Sequence, residues 1–167
     1  TDDDKDGKPA WWVEAQAQAF ADYSTELILE LSQQILAGLE YIHAQKVFHF
    51  DIKPENVLLA KEEDKYVAKL ADFGMAYKVK AGADPNKVIA YGTWEYMAPE
   101  CWKRKFGEPA FASDVFSFGM MLWEMFARVR ICTAFSSVAA SDRTSIVAEK
   151  LAAGQRPDAP PKCPVLL

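Results

Sequence analysis

From Trp11 to about Ile42 the apolar residues recur at helical spacing. Leu27, Leu31, Ile35, Leu39 and Ile42 fall on one stripe, which predicts a long helix with that side against a core. Ser24 or Thr25, followed by Glu26 and Leu27, supplies its start. Two short runs come next, VLLA (57–60) and YVAKLA (66–71), on either side of the charged, turn-prone KEEDK. They predict a β-hairpin in which 57–60 pairs antiparallel with 67–70. Residues 74–98 show no period and contain Gly82, Pro85 and Gly92, so they read as a long loop. SDVFSFGMMLWEMFAR (113–128) is apolar nearly all round and predicts a central, buried helix, with Ser113 as N-cap and Asp114 complementing the first turn. TSIVAEKLAAG (144–154) is a third helix, closed by Gly154. The acidic stretch TDDDKDGKPA (1–10) has no apolar period and reads as a flexible arm or loop remnant. Residues 11–167 then form one domain, mainly α with small β-hairpins.

Composition narrows the class. Half of the 167 residues are hydrophobic and 26% are charged, the balance of an ordinary globular domain large enough to bury a core without metal or disulfide help. The formal net charge of −5 argues against nucleic acid as the main partner, because phosphate binding needs a basic surface. Cys101, Cys132 and Cys163 are scattered and odd in number, so they form neither a disulfide framework nor a zinc set; a reducing, intracellular and cytoplasmic setting is the expectation. The most apolar stretch, SFGMMLWEMFA (117–127), is too short for a membrane span and carries Glu124.

The chemistry concentrates in HFDIKPENVLL (49–59). If the hairpin forms as predicted, Asn56 enters its first strand at the end where Asp72 leaves the second. Two oxygen donors then meet at the hairpin mouth, with Asp51 and Lys53 on the loop leading in. Such donors suit a hard cation like magnesium, which takes one or two protein ligands beside phosphate oxygens. Lys53 offers a cation to a transferring phosphoryl group and Asp51 an acceptor for a hydroxyl proton. The local pattern therefore points to metal-assisted phosphoryl transfer. Asn before a strand and Asp after one are also common turn residues, so the loop alone leaves a structural role open.

Three further segments change that weighing: ADFG (71–74), GTWEYMAPE (92–100) and SDVFSFGMMLWEM (113–125). In their order and spacing they resemble the catalytic lobe of eukaryotic protein kinases, a likeness that spans roughly residues 25 to 163. The resemblance implies a protein-kinase-like fold in its large C-terminal lobe, ATP and Mg2+ as cofactors, and a protein as substrate. It makes Asp51, Lys53 and Thr93 catalytic, assigns nucleotide binding to Lys53, Glu55, Asn56, Leu58 and Asp72, and gives the metal to Asn56 and Asp72. His49 and Phe73 would stack in a column rooted on Asp114, and Leu58 would floor the adenine site above Met121 and Met125. Lys53 next to Pro54 resembles the Ser/Thr-directed form of the loop. SDVFSFGMMLWEM and GQRPDAP resemble the tyrosine-kinase-like branch, whose members mostly phosphorylate Ser and Thr.

Three departures accompany the likeness. Phe50 stands where most of the family carries an Arg that pairs with a phosphorylated loop. Phenylalanine makes no such bond, so loop phosphorylation is not the expected switch, and Phe50 should pack against apolar neighbours. No glycine-rich loop or strand lysine of the small lobe is present in the 167 residues, which reads as a domain truncated at both ends and weak in ATP binding by itself. Glu100, lacking the family's distal Arg, would turn to Lys103, Arg104 or Arg156, or to solvent. A non-catalytic regulatory or scaffolding module, binding a partner kinase or regulatory protein through 92–111 and 144–154, is the alternative function. An unrelated magnesium-dependent phosphotransferase is disfavoured by GTWEYMAPE. Retention of Asp51, Lys53, Asn56 and Asp72 together favours an active parent.

Overall fold

The computed structural model describes residues 23–63, 65–80, 88–135, 143–160 and 163. The expectations for residues 1–10, for Trp11 onward to residue 22, and for the last residues lie outside them. The first helix, α1 (Thr25–Ala44), begins where the sequence places it: Ser24 is the N-cap, and its Oγ accepts from the Leu27 N–H at 3.2 Å. Ile28, Leu31, Ile35, Leu39 and Ile42 are its buried stripe. After it come β1 (Val47–Phe48), a 3₁₀ turn (Pro54–Asn56), β2 (Val57–Glu62), β3 (Lys65–Leu70), a second 3₁₀ turn (Phe73–Met75) and β4 (Tyr77–Lys78). The C-terminal half is helical, with α2 (Pro99–Trp102), α3 (Phe111–Ala127), α4 (Ile131–Ala134) and α5 (Arg143–Ala152).

β2 and β3 pair antiparallel, with Val57 opposite Leu70 and Ala60 opposite Val67, the register expected from the sequence; the strands run two residues further toward the turn. Gln34 of α1 ties this hairpin down. Its Oε1 accepts from the Ala68 N–H at 2.7 Å, and its Nε2 donates to the Tyr66 carbonyl at 3.2 Å. Alternation places Val57 and Leu59 over Met121 and Met125 of α3, while Leu58 stands on the other face, 61% exposed. The stretch read as a featureless loop contains more structure than expected. β4 pairs with β1, Phe48 opposite Tyr77, and so draws the segment after Asp72 back beside the chain that enters the site.

α3 is the central helix, with Phe118, Met120, Met121, Met125 and Phe126 buried, although Val115 remains 51% exposed. It starts three residues before the expected point. Ala110 is the N-cap, and Ser113 sits one turn in, its Oγ accepting from the Ala110 N–H at 3.0 Å. The same hydroxyl donates to Glu100 Oε1 at 2.7 Å, which corrects the expected partners of that carboxylate. Arg104 is drawn to Glu108 and the Val88 carbonyl, Arg156 to the carbonyls of Leu151 and Gln155, and Lys103 lies over the Trp102 ring. α5 ends as predicted: Gly154 has φ +83°, its N–H bonds the Leu151 carbonyl, and the Gln155 N–H bonds that of Lys150. Among the described residues, no helix is long and apolar enough to cross a membrane.

Candidate active site

The chain enters the site through a backbone held from below. Asp114, 1% exposed in the first turn of α3, accepts from the His49 N–H at 2.9 Å and the Phe50 N–H at 2.8 Å, one bond to each carboxylate oxygen. His43 Nε2 joins it at 2.8 Å. This grip maintains Phe50 at φ +64°, a left-handed conformation that a bulky residue adopts only under tertiary constraint. The Phe50 ring stacks on Phe48 at 4.8 Å, in an apolar cluster with Val88, Phe111 and Tyr77. Packing is therefore its role. Gly92 passes directly over the Phe50 carbonyl, where any Cβ would overlap the oxygen, so the later segment can reach the loop only without a side chain there.

Beyond Phe50 the loop turns sharply. Lys53 is extended, as residues before proline are, and Pro54 opens a 3₁₀ turn that swings Asn56 back toward Asp51. Asn56 Nδ2 donates to both the Asp51 carbonyl and Asp51 Oδ2, each at 2.8 Å. Lys53 Nζ lies 3.0 Å from Asp51 Oδ2 and donates to Thr93 Oγ1 at 2.8 Å. Thr93, 42 residues away in sequence, completes the ring: its N–H and Oγ1 donate to Asp51 Oδ1 at 2.9 and 2.8 Å. Burial alone would raise the Asp51 carboxyl. The hydrogen bonds from Thr93 and Lys53, the Lys53 charge and the Asn56 amide outweigh it and hold the group below its ordinary value.

Asp72 stands at the mouth of the hairpin. The Ala71 N–H donates to the Asn56 carbonyl at 2.9 Å, so the two strand ends meet as predicted. His49 reinforces the junction, with Nδ1 accepting from the Asp51 N–H at 3.3 Å and Nε2 facing the Ala71 carbonyl at 3.0 Å. That pairing places the ring proton on Nε2. The His49 ring also packs against Phe73 at 4.9 Å. Asp72 is exposed and left-handed (φ +57°), with Oδ1 accepting from the Gly74 N–H. Asn56 spends both amide hydrogens on Asp51, leaving Oδ1 as its remaining donor atom. Asn56 Oδ1 and the Asp72 carboxylate are oxygen atoms of the kind that suit a hard cation drawing its other ligands from phosphate or water; the described residues contain no cluster of three or more His, Cys, Asp or Glu that could hold a metal.

Sequence reasoning missed one group. Glu55 does not face the hairpin mouth; its Oε1 accepts from Arg130 Nη1 at 2.8 Å. Arg130 also meets Glu124 Oε1 at 3.2 Å, and the Tyr96 hydroxyl donates to Glu124 Oε2. A carboxylate in the apolar helix SFGMMLWEMFA was the available signal, because a buried acid requires a partner. Burial pushes the Glu124 carboxyl up to about 7, against the lowering effects of Tyr96 and Arg130. A raised folded-state pKa means the native state holds the proton more tightly, so this group's contribution falls as pH rises from about 4.5 to about 7. Thermal melts between pH 5 and 8 should show Glu124→Gln gaining stability relative to wild type as pH rises through that window. Parallel curves would contradict the assignment.

Comparison with known proteins gives the family of the chain. The model of the protein kinase domain matches residues 13–160. Over 107 residues the chain is 39% identical to the rust resistance kinase Lr10 of Triticum aestivum, covering 60% of the chain and 16% of that protein. It is 36% identical over 104 residues to dual specificity testis-specific protein kinase 2 of Rattus norvegicus, covering 61% of the chain and 18% of that protein. It is 33% identical over 102 residues to the serine/threonine-protein kinase-transforming protein mos of Moloney murine sarcoma virus (strain ts110), covering 60% and 27%. The matched region spans about a quarter or less of each relative's length. With the domain model covering most of its length, the chain belongs to the protein kinase domain family.

Proposed function

We propose that this chain forms the large lobe of a Ser/Thr-directed protein kinase that transfers the γ-phosphate of ATP to protein hydroxyls with magnesium. The observation that carries the reading is the closed ring of Asp51, Lys53 and Thr93, with Asn56 bonded to the same carboxylate. A carboxylate held ionised by three polar neighbours is a proton acceptor fixed in place, and an ammonium beside it is positioned for the charge of a transferring phosphoryl group.

In the reaction, the acceptor oxygen attacks the γ-phosphorus, the bond to the β–γ bridging oxygen breaks, and ADP leaves. Asp51 orients the acceptor hydroxyl and takes its proton. Lys53 moves between Asp51 and the incoming phosphoryl oxygens. Bound magnesium would supply charge neutralisation at the phosphates, held by Asn56 Oδ1 and Asp72. Leu58, exposed on the upper face of the hairpin, offers an apolar floor to the base. Beside Thr93, Tyr91, Trp94, Met97 and Trp102 line a cleft suited to the acceptor chain. Lys53 with Pro54 supports the Ser/Thr preference, and so does the similarity to the serine/threonine-protein kinase-transforming protein mos.

Asp72→Ala tests the cation site. Asp72 is exposed and its carboxylate makes one local hydrogen bond, so the melting temperature should fall by only about 2 °C. Magnesium-dependent turnover of the full-length protein should drop about 100-fold or more. Turnover within about twofold of wild type would remove Asp72 from the mechanism.

A further inference from the structure

Arg130 lies outside the ring that handles the proton and the phosphate, yet it joins every element that builds that ring. Its three guanidinium nitrogens address carboxylates from three parts of the chain. Nη1 meets Glu55, which sits between Lys53 and Asn56, at 2.8 Å. Nε meets Glu124 of α3 at 3.2 Å, and Nη2 lies 4.0 Å from Glu95, two residues beyond Thr93. Tyr96 closes the circuit through its hydroxyl on Glu124. The three acidic side chains are only 10%, 5% and 12% exposed, and Glu55 Oε2 is buried with no partner. One cation therefore holds three packed carboxylates, and the planar fork is what lets it face all of them together.

Without that cation the balance changes. The groups facing Glu124 are Tyr96 from the Thr93 segment, Arg130 and the Ile131 N–H from the entry to α4, and Glu55 from the catalytic loop. Removing the guanidinium leaves Glu55 and Glu95 as like charges in a dry site, and their cheapest relief is to move toward water. Glu55 carries its neighbours Lys53 and Asn56 with it, and Glu95 carries Thr93. The Asp51–Thr93 bonds would then lengthen although neither residue has changed.

We propose that Arg130 is a positioning residue that clamps the catalytic loop to the Thr93 segment, so that phosphate transfer depends on a guanidinium touching neither nucleotide nor acceptor. The role in transfer rests on the kinase reading; the clamp itself does not.

Two measurements separate them. In amide hydrogen exchange on this chain, Arg130→Met should speed exchange in 51–57 and 92–97 by about tenfold, while the core of α1 keeps its wild-type rates. Arg130→Lys, which keeps the charge and loses the fork, should give a smaller rise in the same two segments and serves if the Met variant does not fold. Unchanged rates in both loops, or an equal rise in α1, would overturn the clamp. In the full-length protein, Arg130→Met and Arg130→Lys should lower kcat about 10- to 100-fold and also raise the KM for ATP, because Lys53 and Asn56 shift with Glu55, with Arg130→Lys the milder of the two. An unchanged kcat would overturn the positioning role. A wild-type protein with no transferase activity would instead sink the kinase reading, and the exchange experiment would still decide the clamp.

Discussion

Asp51→Asn should leave nucleotide binding within about twofold of wild type and reduce phosphate transfer by about three orders of magnitude. The asymmetry follows from where the carboxylate sits. Its oxygens are spent on Thr93, Lys53 and Asn56, and its proposed part is to take the acceptor's proton, whereas the cation goes to Asn56 Oδ1 and Asp72. Asparagine is nearly isosteric and keeps one acceptor oxygen, so the fold survives. It cannot accept the hydroxyl proton, and it presents an amide donor toward Lys53, which also donates. Isothermal titration with ATP and magnesium, set beside single-turnover transfer in the full-length protein, checks both halves. Equal losses in binding and turnover would mean that Asp51 belongs to the nucleotide site instead.

Asp114→Ala should be the most damaging single change to stability, at about 3–5 kcal/mol, lowering the melting temperature by about 10 °C. The substitution strands the N–H groups of His49, which is fully buried, and Phe50, which is 6% exposed; it also removes the partner of His43. The left-handed turn at Phe50 loses its support together with the bonds, so Asp51 loses its place. Turnover should fall by more than the lost stability explains at temperatures where the variant stays folded. Chemical denaturation and activity at 15 °C test this, and a variant within about 1 kcal/mol of wild type would show that the loop holds itself.

Much of this site can be read along the chain because short-range geometry builds it. Apolar spacing predicts α1, and the runs on either side of KEEDK predict a hairpin whose closure brings Asn56 level with Ala71 and Asp72. Asp51, Lys53 and Asn56 share one turn shaped by Pro54, so their proximity is legible locally, although the turn's entry is fixed by the distant Asp114. Thr93 is different. It reaches Asp51 only because Gly92 can cross the Phe50 carbonyl, and no local pattern signals that crossing; resemblance to a family supplied it. The β1–β4 pair is two residues long on each side, too short to carry a period. Ser113 follows the rule for an N-cap residue, yet it lies one turn inside α3 because its hydroxyl serves Ala110 and Glu100 together. The Arg130 cluster spans positions 55 to 130, and of its members only Glu124, inside an apolar helix, stands out in the sequence. Long-range polar pairing is what the linear pattern leaves unread.

The most direct test of the account is phosphoamino acid analysis of a generic protein acceptor after incubation of the full-length protein with γ-labelled ATP and magnesium, with the Asp51→Asn variant run in parallel. Wild type should place label on serine and threonine, and the variant almost none. No label with wild type, or equal label with both, would contradict the account.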